Sequence, residues 1–298
     1  MRRMKTRQAI TRRAFSTIGL LFFTACAPSA STAPAPINIA PTATQTPPPT
    51  FVVPTETTTI ATFACHLQPG VVETGSLDST TPPQGFLIYL PPCYSEQTDQ
   101  RYPVLYLLHG QTYNADQWIR LGATDSMNKL LLNQTIAPFI VVFPDDRYWY
   151  TSAGAGFGER LADHLIPFID RTYRTISTPR FRAIGGLSRG AGWALQLGFT
   201  RPDLFGVIGL HSLAILQRNA SQVEFWLRAL SPDAVPAVFM DIGRNDPELA
   251  SARQIEALLM KFEIPHEWRL YSGAHTEAYW SAHVEEYIRW YAEQWSGQ

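Results

Sequence analysis

Short apolar runs alternate with longer segments of helical period from about residue 85 to the end of the chain. That alternation predicts an α/β protein with a mostly parallel central sheet covered by helices on both faces. Two antiparallel strands come first, one beginning near Cys65 and one over Gly85 to Leu90. Further strands are expected near 103–108, 137–143, 181–187, 205–210, 236–242 and 266–271. Helical patterns fall between them over Phe157 to Tyr173 and Pro247 to Phe262, where Glu256, Leu258 and Met260 are good helix formers, and over Tyr279 to Trp295. Another helix starts at Arg189, directly after the run Arg182 to Leu187.

The first sixty residues follow a different rule. Met1 to Arg13 is rich in arginine and lysine, Ala14 to Thr24 is mainly apolar, and the small residues Ala25-Cys26 follow. This is the layout of an export signal over 1–26, too short for a membrane span. Phe23-Thr24-Ala25-Cys26 resembles the lipobox of bacterial lipoproteins, which implies lipidation at Cys26. Thr11-Arg12-Arg13-Ala14-Phe15 resembles a twin-arginine signal, and ordinary secretion is the alternative. Residues 27–60 are dominated by Pro, Thr, Ala and Ser, the composition of a semi-extended tether, and 61–298 form the globular domain. The chain has three cysteines. With Cys26 lipidated, Cys65 and Cys93 are left as a pair, which an exported chain can oxidise to a disulfide across the first two strands; two free buried thiols are the alternative.

Candidate chemistry centres on Gly186-Leu187-Ser188-Arg189-Gly190, a G-x-S-x-G sequence between a predicted strand and a predicted helix. A serine on so sharp a turn needs flanking positions almost free of side chain, which Gly186 and Gly190 supply. The nucleophile then needs an acid and a histidine, in that order along the chain. Asp246 lies just beyond the strand Ala237 to Gly243, and His275 lies in the loop after the strand Glu267 to Tyr271. Asp241, inside its strand, is the alternative acid. Of the seven histidines, His66, His164, His266 and His283 occupy ordinary positions. His109 is expected to be structural beneath the site, and His211 is the competitor, preceding the acid in the wrong order. Two backbone N–H groups are expected to form the oxyanion hole, those of Arg189 and of Gln111, where Gly110 lets the chain turn inward.

A formal net charge of −1 gives no support for a nucleic-acid partner. No metal-ligand spacing of Cys and His is apparent, and no cofactor is expected.

These residues carry a resemblance. Ile88-Tyr89-Leu90-Pro91-Pro92, Tyr102 to Gly110, Leu165 to Asp170, Ala183 to Ser188, Pro202-Asp203-Leu204-Phe205 and Gly273-Ala274-His275 keep family-like order and spacing. From about Phe86 to Trp290 the chain resembles the "Putative esterase" family of α/β-hydrolases, which includes esterase D, feruloyl esterases, many acetyl-xylan esterases and the mycolyltransferase antigens. The resemblance implies an α/β-hydrolase fold, with Ser188 as nucleophile, Asp246 as acid, His275 as base, and Gln111 and Arg189 as oxyanion donors. Arg189 and Ala191 depart from it, since many members carry methionine after the serine and a second glycine after the elbow. Tyr113, Trp118, Tyr148, Trp149 and Tyr150 lie on post-strand loops, where aromatic residues can wall a pocket or anchor a loop.

The expected activity is that of an exported serine carboxylesterase on small or medium acyl esters, including carbohydrate-linked feruloyl or acetyl esters. Its membrane contact would be limited to the lipid anchor. An acyltransferase using the same triad and a non-catalytic surface-binding lipoprotein are the alternatives.

Overall fold

The computed structural model describes residues 65–150, 156–216, 219 and 221–296. The chain divides into two units, Met1–Pro54 and Thr55–Gln298, and every described residue belongs to the second. The export signal, Cys26 and the 27–60 tether lie outside the described residues.

All eight expected strands form, in one sheet. They are β1 (Val71–Leu77), β2 (Gln84–Leu90), β3 (Val104–Leu108), β4 (Ile140–Pro144), β5 (Arg182–Leu187), β6 (Val207–His211), β7 (Ala237–Gly243) and β8 (His266–Tyr271). Their order across the sheet is β1-β2-β4-β3-β5-β6-β7-β8, and only the β1–β2 and β2–β4 pairings are antiparallel. β3 to β6 are buried at every position, as a parallel strand with helices on both faces must be.

The helices are α1 (Ala123–Leu132), α2 (Ile166–Thr172), α3 (Arg189–Thr200), α4 (Val223–Ala229), α5 (Leu249–Lys261) and α6 (Glu277–Glu293). The expected helix over Phe157 to Tyr173 is divided: a turn at Phe157–Glu159 and a wide π turn at Arg160–Leu165 precede α2. Alternation along each strand sends side chains to two cores. Tyr106, Ile184 and Ile208 join Trp193, Val223 and Leu259 on one face. Leu105, Leu107, Ala183 and Leu187 join Met127, Leu130, Val284 and Ile288 of α1 and α6 on the other.

The β1–β2 hairpin pairs Val71 with Leu90, which brings the chain before β1 beside the chain after β2. Cys65 and Cys93 are joined there by a disulfide, with their Cα atoms 5.1 Å apart. Among the described residues no helix is long and apolar enough to cross a membrane.

Candidate active site

From β3 the chain steps to β4 on one side, then crosses back to β5 on the other. Connections that diverge in this way leave a crevice beyond the carboxyl ends of the two central strands. The loop after β3 and the residue after β5 face one another across it, and that residue is Ser188. Its backbone stands at φ 54° and ψ −120°, immediately before the first residue of α3. A Cβ on Gly186 would lie 2.5 Å from the carbonyl carbon of Gly190, and one on Gly190 would lie 2.3 Å from the Leu108 oxygen. No side chain fits at either position, so strand and helix can meet closely enough to present the serine. Ser188 N–H donates to the His211 carbonyl at 3.0 Å, which anchors the turn to β6.

Two backbone bonds tie the loop after β7 to the loop after β8, Arg244 N–H to Tyr271 C=O and Asn245 N–H to Gly273 C=O, each 2.9 Å. This tie brings Asp246 and His275 together. His275 Nδ1 lies 3.0 and 2.9 Å from the two Asp246 oxygens, and its Nε2 lies 2.8 Å from Ser188 Oγ. A carboxylate at Nδ1 fixes the proton there, leaving the Nε2 lone pair to accept the serine O–H. Burial alone pushes the Asp246 carboxyl up, but the bond from His275, the Glu248 N–H at 2.8 Å and the Ser212 hydroxyl together hold it below the ordinary range. Trp280 meets the His275 ring edge to face, with centroids 5.0 Å apart.

Asp241, the alternative acid, is engaged elsewhere. Its Oδ1 lies 2.7 Å from His211 Nδ1, and its Oδ2 accepts the hydroxyls of Tyr279 and Tyr287, each at 2.6 Å. Tyr291 OH sits 3.0 Å from His211 Nε2, so the remaining ring nitrogen also has its partner. Burial pushes Tyr287 and Tyr291 well above the usual phenol range. The second His–Asp pair is thus a sealed bracket between α6 and the sheet, with no path to Ser188. Gly185 and Gly209 make room for it, because a Cβ on either would strike the Tyr291 hydroxyl.

On the other wall, His109 braces two loops. Its Nε2 accepts the Asp146 N–H at 2.8 Å, so its proton sits on Nδ1 and is donated to the Gly110 carbonyl at 2.7 Å. In a trans peptide the N–H points opposite to the C=O, so holding the Gly110 oxygen also sets the direction of the Gln111 N–H. The Gly110 N–H donates to Gln117 Oε1 at 2.8 Å. Arg189 opens α3, where the first N–H groups have no partner within the helix.

Between the two walls lies a cleft of about 210 Å³ lined by Gly110, Gln111, Thr112, Tyr113, Leu187, Ser188, His275, Thr276, Glu277 and Trp280. A larger groove of about 550 Å³, with Leu67, Pro92, Leu131, Leu132 and Ile136 in its lining, includes none of the clustered Ser188, His275 and Asp246. Donor atoms of Cys65, His66 and Cys93 also come together, but both sulfurs are spent in the disulfide and offer no thiolate to a metal.

The aromatic residues divide. Tyr113 lines the cleft, 38% exposed, with the Arg120 guanidinium 5.5 Å above its ring. Trp118 is not a pocket wall: it is 1% exposed, donates its indole N–H to Leu108 C=O at 2.8 Å, and packs edge-on against His211 and Tyr287. Tyr148 and Trp149 do not line the cleft either; Trp149 packs edge-on against Tyr150 instead. Pattern reading missed Ser212, Glu277 and Trp280. The signal available for Trp280 was its place one turn into the helix that follows His275.

The Arg189 side chain turns away from the cleft. Its Nε donates to Asp146 Oδ2 at 2.8 Å, beside the Trp193 indole N–H on the same oxygen at 2.9 Å. Arg189→Met is therefore expected to change kcat/KM for neutral and anionic esters by the same factor. It should also lower stability by about 2 kcal/mol, below the full cost of breaking a buried pair, because Asp146 can take up a proton. Parallel kinetics on a neutral and a carboxylated ester check this, and a selective loss on the anionic one would place the guanidinium in the cleft.

The solved structures most like this chain share its fold. A ferulic acid esterase is 23% identical with a TM-score of 0.68, covering 76% of this chain and 100% of its own. The S-formylglutathione hydrolase of Staphylococcus aureus is 17% identical with a TM-score of 0.61, covering 76% and 98%. Among curated proteins, an endo-1,4-beta-xylanase/feruloyl esterase of Xylanibacter ruminicola is 31% identical over 192 residues, 61% of this chain and 25% of that protein. An esterase of Mycobacterium tuberculosis is 30% identical over 151 residues, 48% and 32%. The chain spans between a quarter and a third of the length of these curated relatives. The profile of the "Putative esterase" family matches residues 79–291, and the chain belongs to that family.

Proposed function

We propose that the chain is an exported serine carboxylesterase in which Ser188 is the nucleophile, His275 the general base and Asp246 its orienting acid. The supporting observation is the continuous line from Asp246 through His275 to Ser188 Oγ, ending in an open cleft. Ser188 Oγ attacks the ester carbonyl carbon while His275 Nε2 takes its proton. Charge builds on the carbonyl oxygen, where the N–H groups of Gln111 and Arg189 receive it. As the tetrahedral intermediate collapses, the C–O bond to the alcohol breaks and His275 returns the proton to the departing oxygen. Water then repeats the sequence on the acyl-enzyme, giving up its proton to His275, and the acid departs as Ser188 is regenerated. Asp246 stays ionised throughout and holds the imidazolium in place.

A cleft of about 210 Å³ is smaller than the roughly 300–1,000 Å³ typical of drug-sized ligands, which supports small or medium acyl groups. Tyr113 provides an aromatic face at its rim. A relative named for feruloyl esterase activity and a related structure complexed with sinapinate make feruloyl esters the first substrates to test, with acetylated sugars beside them. The experiment is a panel of p-nitrophenyl acyl esters, methyl ferulate and acetylated or feruloylated oligosaccharides, with Ser188→Ala as control. Failure of the wild type on every ester would overturn the reading. Export and anchoring belong to the same proposal: intact mass should show a lipidated Cys26, and Cys26→Ser should lose membrane partitioning. Equal partitioning of the two forms would remove the anchor.

A further inference from the structure

β6 lies between β5, which ends at Ser188, and β7, which leads to Asp246. The first residue to leave β6 therefore emerges between nucleophile and acid, and that residue is Ser212. It is completely buried, and its φ of 48° lies in the left-handed region that serine ordinarily avoids. A glycine would hold the same backbone without strain, so a hydroxyl retained there points to a use for it. Ser212 N–H is fixed by the Asp241 carbonyl at 2.9 Å, and Ser212 Oγ accepts the Trp280 indole N–H at 3.0 Å. With that lone pair engaged, the hydroxyl proton is directed to an acceptor on the other side, and Asp246 lies there. Trp280 also packs edge to face on His275, so one indole orders both the base and the hydroxyl.

We infer that Ser212 is a positioning residue for the reaction: held by Trp280, its hydroxyl donates to Asp246 and sets the angle at which that carboxylate meets His275. The inference rests on the esterase reading and adds to it. The groups around the pair are accounted for on each element packed against it. From the loop after β8 comes His275, and from the Asp246 loop itself comes the Glu248 N–H. Glu277, at the start of α6, is bound by Arg120 and Gln117. Asp241, beneath, is occupied by His211, Tyr279 and Tyr287.

Ser212→Gly and Ser212→Ala both delete the hydroxyl but move the backbone cost in opposite directions: glycine suits the left-handed φ, whereas alanine keeps the strain. Both are expected to lower kcat on p-nitrophenyl acetate about tenfold, the scale of one hydrogen bond to a charged group, with KM within about twofold. In both, the acid limb of kcat/KM should move to higher pH, because a carboxylate with one donor fewer interacts more strongly with the imidazolium. A merely structural role would make activity follow thermal stability, impairing Ser212→Ala and sparing Ser212→Gly. A Ser212→Gly enzyme with wild-type kcat and an unmoved acid limb would overturn the inference. Independently of turnover, the proton resonance of His275 Nδ1–H, identified by its loss in His275→Ala, should shift in both variants; an unchanged resonance overturns the inference as well. Activity of wild type against Ser188→Ala, run in parallel, reports separately on the esterase reading.

Discussion

Ser188→Ala is expected to fold as the wild type does and to hydrolyse p-nitrophenyl acetate at least about 10⁴-fold more slowly. The substitution removes the oxygen that His275 Nε2 faces at 2.8 Å and leaves the backbone of the turn as it is, since alanine meets the same left-handed φ that serine already tolerates. His275→Ala should fall to a similar floor, because an alkoxide cannot form without an acceptor for its proton. The double variant should be no slower than either single one, as residues that act on one proton transfer fail together. Circular dichroism and thermal melts establish folding, and burst-free single-turnover kinetics establish the loss. Substantial turnover by a well-folded Ser188→Ala protein would move the nucleophile elsewhere.

The two buried aspartates should separate cleanly into one that serves catalysis and one that serves stability. Asp246→Asn offers His275 Nδ1 an amide donor where it had an acceptor, which favours the tautomer protonated at Nε2 and leaves no lone pair for the Ser188 proton. A fall in kcat of about 10⁴ is expected from that change alone. Because the folded-state carboxyl of Asp246 is held below its usual range, it contributes stability above the unfolded-state pKa and loses it as pH falls through the folded one. The Asn variant should lack that acid-side loss. Asp241→Asn instead breaks a fully buried cluster of one imidazole and two phenols, at a cost of about 3 kcal/mol in urea unfolding. Its kcat per folded molecule should stay within about tenfold of wild type. The opposite pattern, with Asp241→Asn folded and silent, would exchange the roles.

Strand positions were readable because fully apolar runs separated by helical segments leave little choice of register in a sheet covered on both faces. The neighbourhood of Ser188 was readable for a local reason as well: steric exclusion at Gly186 and Gly190 acts over a few residues of sequence. Helix α1 carried no such mark. Ala123-Thr124-Asp125-Ser126-Met127-Asn128 mixes weak helix formers, and its N-cap is Gly122 at a φ of 96° rather than a side chain that accepts a hydrogen bond. α4 is seven residues long with no side-chain cap.

Trp118 and Tyr113 looked alike in sequence, five positions apart in one loop. What separates them is packing by His211 and Tyr287, far along the chain. Choosing Asp246 over Asp241 had the same character: chain order narrowed the candidates, and the backbone ties at Arg244 and Asn245 bring Asp246 to His275. Ser212 left no pattern at all, because its significance lies in a strained φ and in neighbours from β5, β7 and α6.

The disulfide between Cys65 and Cys93 has a mechanical consequence. The β1–β2 hairpin lies wholly inside the covalent loop it closes. Tension arriving along the chain ahead of Cys65 passes through the sulfur bridge to the residues after β2, without loading the edge ladder. A hairpin pulled from its free end would open one rung at a time; this one is shielded, and the force is delivered instead toward β3 at the centre of the sheet.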